Sequence, residues 1–151
     1  MAASVRRLFP YTSHSLADTR ALAHRLAEAL PPGTVLALSG DLGTGKTHLV
    51  KGLAEALGID PTTVRSPTFT IVHSYTEGTR PLHHFDAYRM GTPAAFEELG
   101  FASYLDGDGL CVIEWPERVA SLLPPDAVWL SLSHEGPSTR RFEWGRKTSD
   151  D

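Results

Sequence analysis

Gly40-Asp41-Leu42-Gly43-Thr44-Gly45-Lys46-Thr47 decides the fold class of this chain. It matches the P-loop pattern G-x-x-x-x-G-K-[ST] at every position. An apolar run of strand length, Thr34-Val35-Leu36-Ala37-Leu38-Ser39, leads into it, and a helical pattern from Lys46 to Leu57 leads out, closed by Gly58. A loop that wraps a triphosphate must bring successive backbone N–H groups within reach of oxygen, and glycines permit both the dihedrals and the close approach. Asp41, Leu42, Gly43, Thr44 and Gly45 form that wrap. Lys46 then supplies a charge to the β- and γ-phosphates, Thr47 a hydroxyl to Mg²⁺, and the helix beginning there its positive N-terminal end. The expected ligand is ATP or ADP with Mg²⁺, and the expected fold is α/β: a single P-loop domain with a central mixed, mostly parallel sheet flanked by helices.

The rest of the composition agrees with one domain. At 151 residues, 41% apolar and 21% charged, the chain is long enough to bury a core. Fourteen Lys and Arg against 18 Asp and Glu give a net charge of −4, a poor footprint for holding a polyanion tightly. The one cysteine, Cys111, lies in the apolar run Leu110-Cys111-Val112-Ile113; this excludes an intramolecular disulfide, and the residue reads as packing. Two arginines near the start, Arg6 and Arg7, run into Leu8-Phe9-Pro10-Tyr11 and not into the about 7 to 15 apolar residues of a signal peptide. No stretch approaches the about 20 apolar residues of a membrane span. A cytoplasmic protein with no membrane partner is expected.

Reading outward, Ser15 caps a helix whose apolar positions Leu22, Ala23, Leu26, Ala27 and Leu30 recur at helical spacing until Pro31-Pro32-Gly33. Phe69 to Tyr75 and Leu82 to Asp86, separated by Glu77-Gly78-Thr79-Arg80, read as an inserted β-hairpin. Thr92 caps a short helix through Glu98. Gly109 to Trp115 is a buried strand, and Pro116 opens a helix reaching Leu123. Ala127 to Ser133 and Arg141 to Gly145 alternate as two last strands. The domain spans residues 1–146, and 147–151 are a polar tail expected to fray.

A carboxylate is needed at the end of a second strand to hold Mg²⁺ or its water shell, because the bound triphosphate is otherwise an uncompensated anion. Glu114 closes the run Leu110-Cys111-Val112-Ile113-Glu114 and is a candidate Mg²⁺ ligand, the alternative being a solvated strand terminus. Asp86 ends the second hairpin strand; it is a candidate to orient the attacking water or hold Mg²⁺, or else pairs with Arg89. His73, His83 and His84 invite a transition-metal reading, which the strand disfavours because adjacent residues face opposite sides.

Five stretches together resemble the TsaE (YjeE) family, small P-loop ATPases of bacterial tRNA threonylcarbamoyladenosine biosynthesis. They are Gly40 to Thr47, Ser66-Pro67-Thr68-Phe69-Thr70, His84-Phe85-Asp86-Ala87-Tyr88-Arg89, Glu97-Glu98-Leu99-Gly100 and Ile113-Glu114-Trp115-Pro116. The likeness runs from about Ser13 to Arg141. His48 after Thr47 and Ala87 within His84-Phe85-Asp86-Ala87-Tyr88-Arg89 depart from the family's usual residues, and neither removes a group the chemistry needs. The resemblance implies that Thr47 and Glu114 serve Mg²⁺, that Asp86 is needed for hydrolysis, and that Thr68 senses the γ-phosphate. It sets the purine against Ser13 to Leu16, near Trp115 and the arginines Arg140 and Arg141, with the His48 N–H beside the α-phosphate. Ser13 and Ser15 as plain cap residues, and the arginines as a solvated edge, are the alternatives. The implied partners are TsaD and TsaB, with tRNA met indirectly through their complex, and the implied activity is weak ATP hydrolysis that the partners stimulate.

Two rival functions remain at this level. A small-molecule kinase uses the same loop but generally carries an arginine-bearing lid, where this chain has a hairpin pattern. A nucleotide-controlled docking module that does not hydrolyse would need Lys46 and the loop but has no use for Asp86.

Overall fold

The computed structural model describes residues 5–40, 45–65, 72–88, 92–105 and 107–146. The expectations for Asp41 to Thr44, for Thr68 and its Ser66–Thr70 segment, for Arg89 and for the tail at 147–151 fall outside the described residues.

Seven strands form one sheet in the order β1-β7-β6-β2-β5-β4-β3. In chain order they are β1 (Tyr11–Ser13), β2 (Val35–Ser39), β3 (Val72–Tyr75), β4 (Leu82–Asp86), β5 (Leu110–Glu114), β6 (Val128–His134) and β7 (Arg140–Trp144). The helices are α1 (Leu16–Ala29), α2 (Lys46–Ala56), α3 (Pro93–Glu98) and α4 (Phe101–Leu105). The four central strands β6, β2, β5 and β4 are parallel, and antiparallel pairs close both edges. The hairpin is built into the sheet: β4 pairs with both β3 and β5, so it extends the parallel centre to an edge.

Burial explains the sequence patterns. β5 is buried at every position, since helices cover both of its faces, and it therefore reads as a continuous apolar run without alternation. β6, nearer the uncovered edge, alternates buried with half-exposed residues. On one face Leu36, Leu38, Leu110 and Val112 meet Leu22, Leu26, Leu49 and Leu53 of α1 and α2. On the other, Val35, Phe85 and Ile113 meet Phe96, Phe101 and Val119. Phe85 anchors that second core, with ring centroids 5.5, 5.4 and 5.2 Å from Phe96, Phe101 and Tyr104. The α1–α2 contact is close enough that a Cβ on Gly52 would stand 2.6 Å from that of Ala23. Cys111 is buried in β5, and burial pushes its thiol up to about 12, as suits a packing residue.

Caps behave locally. Ser15 Oγ accepts from Asp18 N–H at 3.1 Å, and Thr92 Oγ1 accepts from Ala95 N–H at 3.2 Å. Two elements differ from the pattern reading. The segment Pro116–Leu122 is a 3-10 helix in which Val119 leaves helical geometry, because it is a short piece between left-handed Trp115 and extended Leu123, itself followed by Pro124. β1 was not expected: three residues are too few to show a period, and only pairing with β7 makes them a strand. The helix α4 was also unforeseen.

Candidate functional site

β2 ends in the middle of the sheet with β5 on one side and β6 on the other, so its last residues reach the crevice at the carboxyl ends of the parallel strands. Gly45, the residue before α2, has φ of 100°, and a Cβ there would lie 3.6 Å from Arg140 Nε. Glycine is thus favoured by the left-handed backbone, while the space beside the arginine would admit a Cβ in ordinary contact. The first helical bond of α2 is Leu49 N–H to Gly45 O at 3.1 Å, which leaves the N–H groups of the opening turn directed along the axis toward the loop.

Lys46 is the first residue of α2 and is 5% exposed. Its Nζ donates to Gly40 O at 2.7 Å, lies 4.4 Å from the centre of the Trp115 ring, and stands 4.0 Å from Glu114 Oε1. The charge is held among partners within the site. Thr47 follows at the second helical position, half-buried, and His48 beyond it is exposed.

Glu114 is 7% exposed, so it is not a solvated strand terminus. Its Oε2 meets His84 Nε2 at 2.5 Å. Asp86 is its register partner on β4, and one Asp86 oxygen accepts from the Tyr88 N–H at 3.0 Å. Trp115 is the only non-glycine residue with positive φ among the described residues, at 58°. This strained turn directly after Glu114 lays the indole over Lys46. Tyr88, 52% exposed, packs at a tilt with its ring centroid 5.1 Å from that of Trp115, and the Arg118 guanidinium lies 4.5 Å from the Tyr88 ring.

Beside this centre is a cleft of about 330 Å³ lined by Ser13, Ser15, Gly45, His48, Pro137 and Arg140, among others. The structure therefore brings together four of the residues set against the purine, Ser13, Ser15, Leu16 and Arg140, with His48, expected beside the α-phosphate, in the same lining. Both serines also serve the helix start: Ser15 as the cap, Ser13 through 2.7 Å contacts to Ser15 O and Thr19 Oγ1. Trp115 does not line this cleft; it sits against Lys46. Arg141 turns to Glu143 Oε1 at 2.6 Å on the exposed side.

Sequence reasoning missed the part played by His84. It was weighed only as a metal ligand, yet it is a fully buried partner of Glu114. Its signal was present: His84 and Asp86 are two apart on one strand and share a face. Glu117, whose carboxylate accepts from the Ser39 hydroxyl at the end of β2, carried no such signal.

A comparison with known families matches residues 13–142 to TsaE, the threonylcarbamoyl adenosine biosynthesis protein. The chain belongs to the TsaE family. It is 42% identical over 125 residues to the tRNA threonylcarbamoyladenosine biosynthesis protein TsaE of Bacillus subtilis, covering 83% of this chain and 77% of that protein. It is 43% identical over 120 residues to the TsaE of Treponema pallidum, covering 80% and 87%. The crystal structure of Bacillus subtilis YdiB superposes with a TM-score of 0.74 at 35% identity, over 90% of this chain and 83% of that one. Like these TsaE relatives, the chain is a single mixed α/β sheet of the P-loop nucleotide-binding kind. No helix among the described residues is long and apolar enough to cross a membrane.

Proposed function

We propose that this chain binds ATP with Mg²⁺ at the P-loop and hydrolyses it in the service of a TsaD–TsaB complex that modifies tRNA in the cytoplasm. The observation that carries the reading is the convergence of Lys46, Glu114 and Asp86 at adjacent carboxyl ends of parallel strands, with the start of α2 aimed at the same crevice. Phosphoryl transfer to water asks of a protein mainly positioning and charge compensation, and these groups supply both.

Mg²⁺ suits the donors present. They are hard oxygens, the Thr47 hydroxyl and the Glu114 carboxylate with Asp86 nearby, and Mg²⁺ takes few protein ligands because phosphate oxygens and water complete its shell. When bound, it would neutralise charge on the phosphates. In this reading Lys46 leaves Gly40 O for the β- and γ-phosphates, Asp86 orients the attacking water, and Thr68 senses the γ-phosphate. The loop residues Asp41, Leu42, Gly43, Thr44 and Gly45 bind through their N–H groups, as does His48 beside the α-phosphate, and the purine enters the cleft between Ser13, Ser15 and Arg140. An acidic chain meets tRNA only through its partners.

The test is ATP hydrolysis by the purified chain with Mg²⁺, alone and with TsaD and TsaB, using Lys46→Ala as the blank. A low rate that rises several-fold with partners is expected. Tight ATP binding without hydrolysis in either state would favour a docking module, and acceleration by an added hydroxyl acceptor would favour a kinase.

A further inference from the structure

His84 is an unusual residue to bury. It is 0% exposed on β4, its Nε2 meets Glu114 Oε2 at 2.5 Å, and its Nδ1 has no hydrogen-bond partner among the described residues. A leucine in this slot would leave no buried nitrogen unsatisfied, so packing does not account for an imidazole here. A carboxylate can receive this contact only if Nε2 carries the proton, which directs the ring's one hydrogen bond to a single oxygen of Glu114. The backbone makes the meeting unavoidable: His84 is in register with Val112, two residues before Glu114, so the two side chains are diagonal neighbours on one face of the sheet.

The other oxygen, Oε1, is left toward the P-loop, 4.0 Å from Lys46 Nζ. That separation is the outer edge of an ion pair, longer than the about 2.8 Å of a charge-assisted hydrogen bond. A carboxylate without the His84 tether would be drawn in toward Lys46 and would compete with phosphate for it. We propose that His84 is a positioning residue that clamps Oε2 of Glu114, so that Oε1 is presented to Mg²⁺ and Lys46 stays available to the nucleotide. The proposal rests on the nucleotide-site reading above and deepens it: ligand orientation by a neighbouring hydrogen bond tunes metal affinity.

The experiment is binding of a fluorescent non-hydrolysable ATP analogue to the full chain, first in EDTA and then with Mg²⁺ titrated in. His84→Leu is expected to weaken binding in EDTA, because the released Glu114 carboxylate then competes for Lys46, and to raise the Mg²⁺ concentration for half-maximal tightening about 10-fold or more. His84→Gln, whose amide N–H can replace Nε2–H, should restore most of the loss. In a Glu114→Gln background, His84→Leu should add no further shift. A wild-type Mg²⁺ midpoint in His84→Leu, no rescue by Gln, or an undiminished further shift in the Glu114→Gln background would each overturn the clamp. Should His84→Leu fail to fold, His84→Asn against His84→Gln makes the same comparison, since the shorter amide ends near the Nδ1 position and cannot reach Oε2. A wild-type chain that binds no analogue would overturn the nucleotide site itself, and the clamp with it; binding by the wild type with no change in the variants overturns the clamp alone.

Discussion

Asp86 and Glu114 are register partners on neighbouring parallel strands, side by side at the ends where the chain leaves the sheet. Two carboxylates so placed repel unless cations stand between them and the ligand. Their roles separate by position: Glu114 is tied to His84 and faces Lys46, whereas one Asp86 oxygen accepts from its own turn at Tyr88. Asp86→Ala should therefore keep ATP binding and lose turnover in the assembled complex by about 100-fold or more. Unchanged turnover would remove Asp86 from the reaction.

Lys46 reaches Gly40 O beneath the Trp115 ring, and phosphate would draw it away. The loss of a cation 4.4 Å from the indole centre should alter Trp115 emission when ATP and Mg²⁺ are added. Trp115→Phe should abolish the change although Trp129 and Trp144 remain. A full response in that variant would show that the signal arises elsewhere.

Arg80 closes the end of α1. Its guanidinium donates to Leu30 O at 2.9 Å and Ala27 O at 3.4 Å, carbonyls that a helix end leaves without an internal donor, and to Pro31 O at 3.2 Å, which also accepts from Thr34. Arg80→Ala should cost about 2 kcal/mol of stability, read as a lower urea midpoint with an unchanged slope. Nucleotide affinity should not move, since Arg80 lies at the end of the sheet away from the P-loop.

Burial holds His83 below the usual histidine range, and burial with the neighbouring His84 and Arg65 does the same for His73. Both pKa values are lower folded than unfolded, so the unfolded chain binds more protons as acid is added. Their contribution is fully present above about pH 6.5 and is lost as pH falls through the folded values. Denaturation at pH 7.5 and 5.5 should show lower stability in acid, and His83→Gln should reduce the difference. Equal pH dependence in that variant would assign the effect to other groups.

Most elements set by contiguous residues were legible without coordinates, β1 and α4 excepted. The strand at Val35–Ser39, the glycine at position 45, Lys46 and Thr47 opening a helix, and the caps at Ser15 and Thr92 all depend on residues within a few positions of each other, and local sterics and hydrogen bonds decide them. The apolar run ending in Glu114 announced a buried strand by the same logic. Tertiary structure alone decided what Glu114 touches. Lys46, His84 and Glu114 come from α2, β4 and β5, and they meet because β4 and β5 are parallel neighbours in a register that sets Asp86 beside Glu114. Strand order and register follow from how two helical layers cover the sheet, a long-range packing energy that no window of sequence contains. For the same reason a three-residue edge strand, a buried histidine with one satisfied nitrogen, and a tryptophan turned over a lysine became visible only in the folded chain.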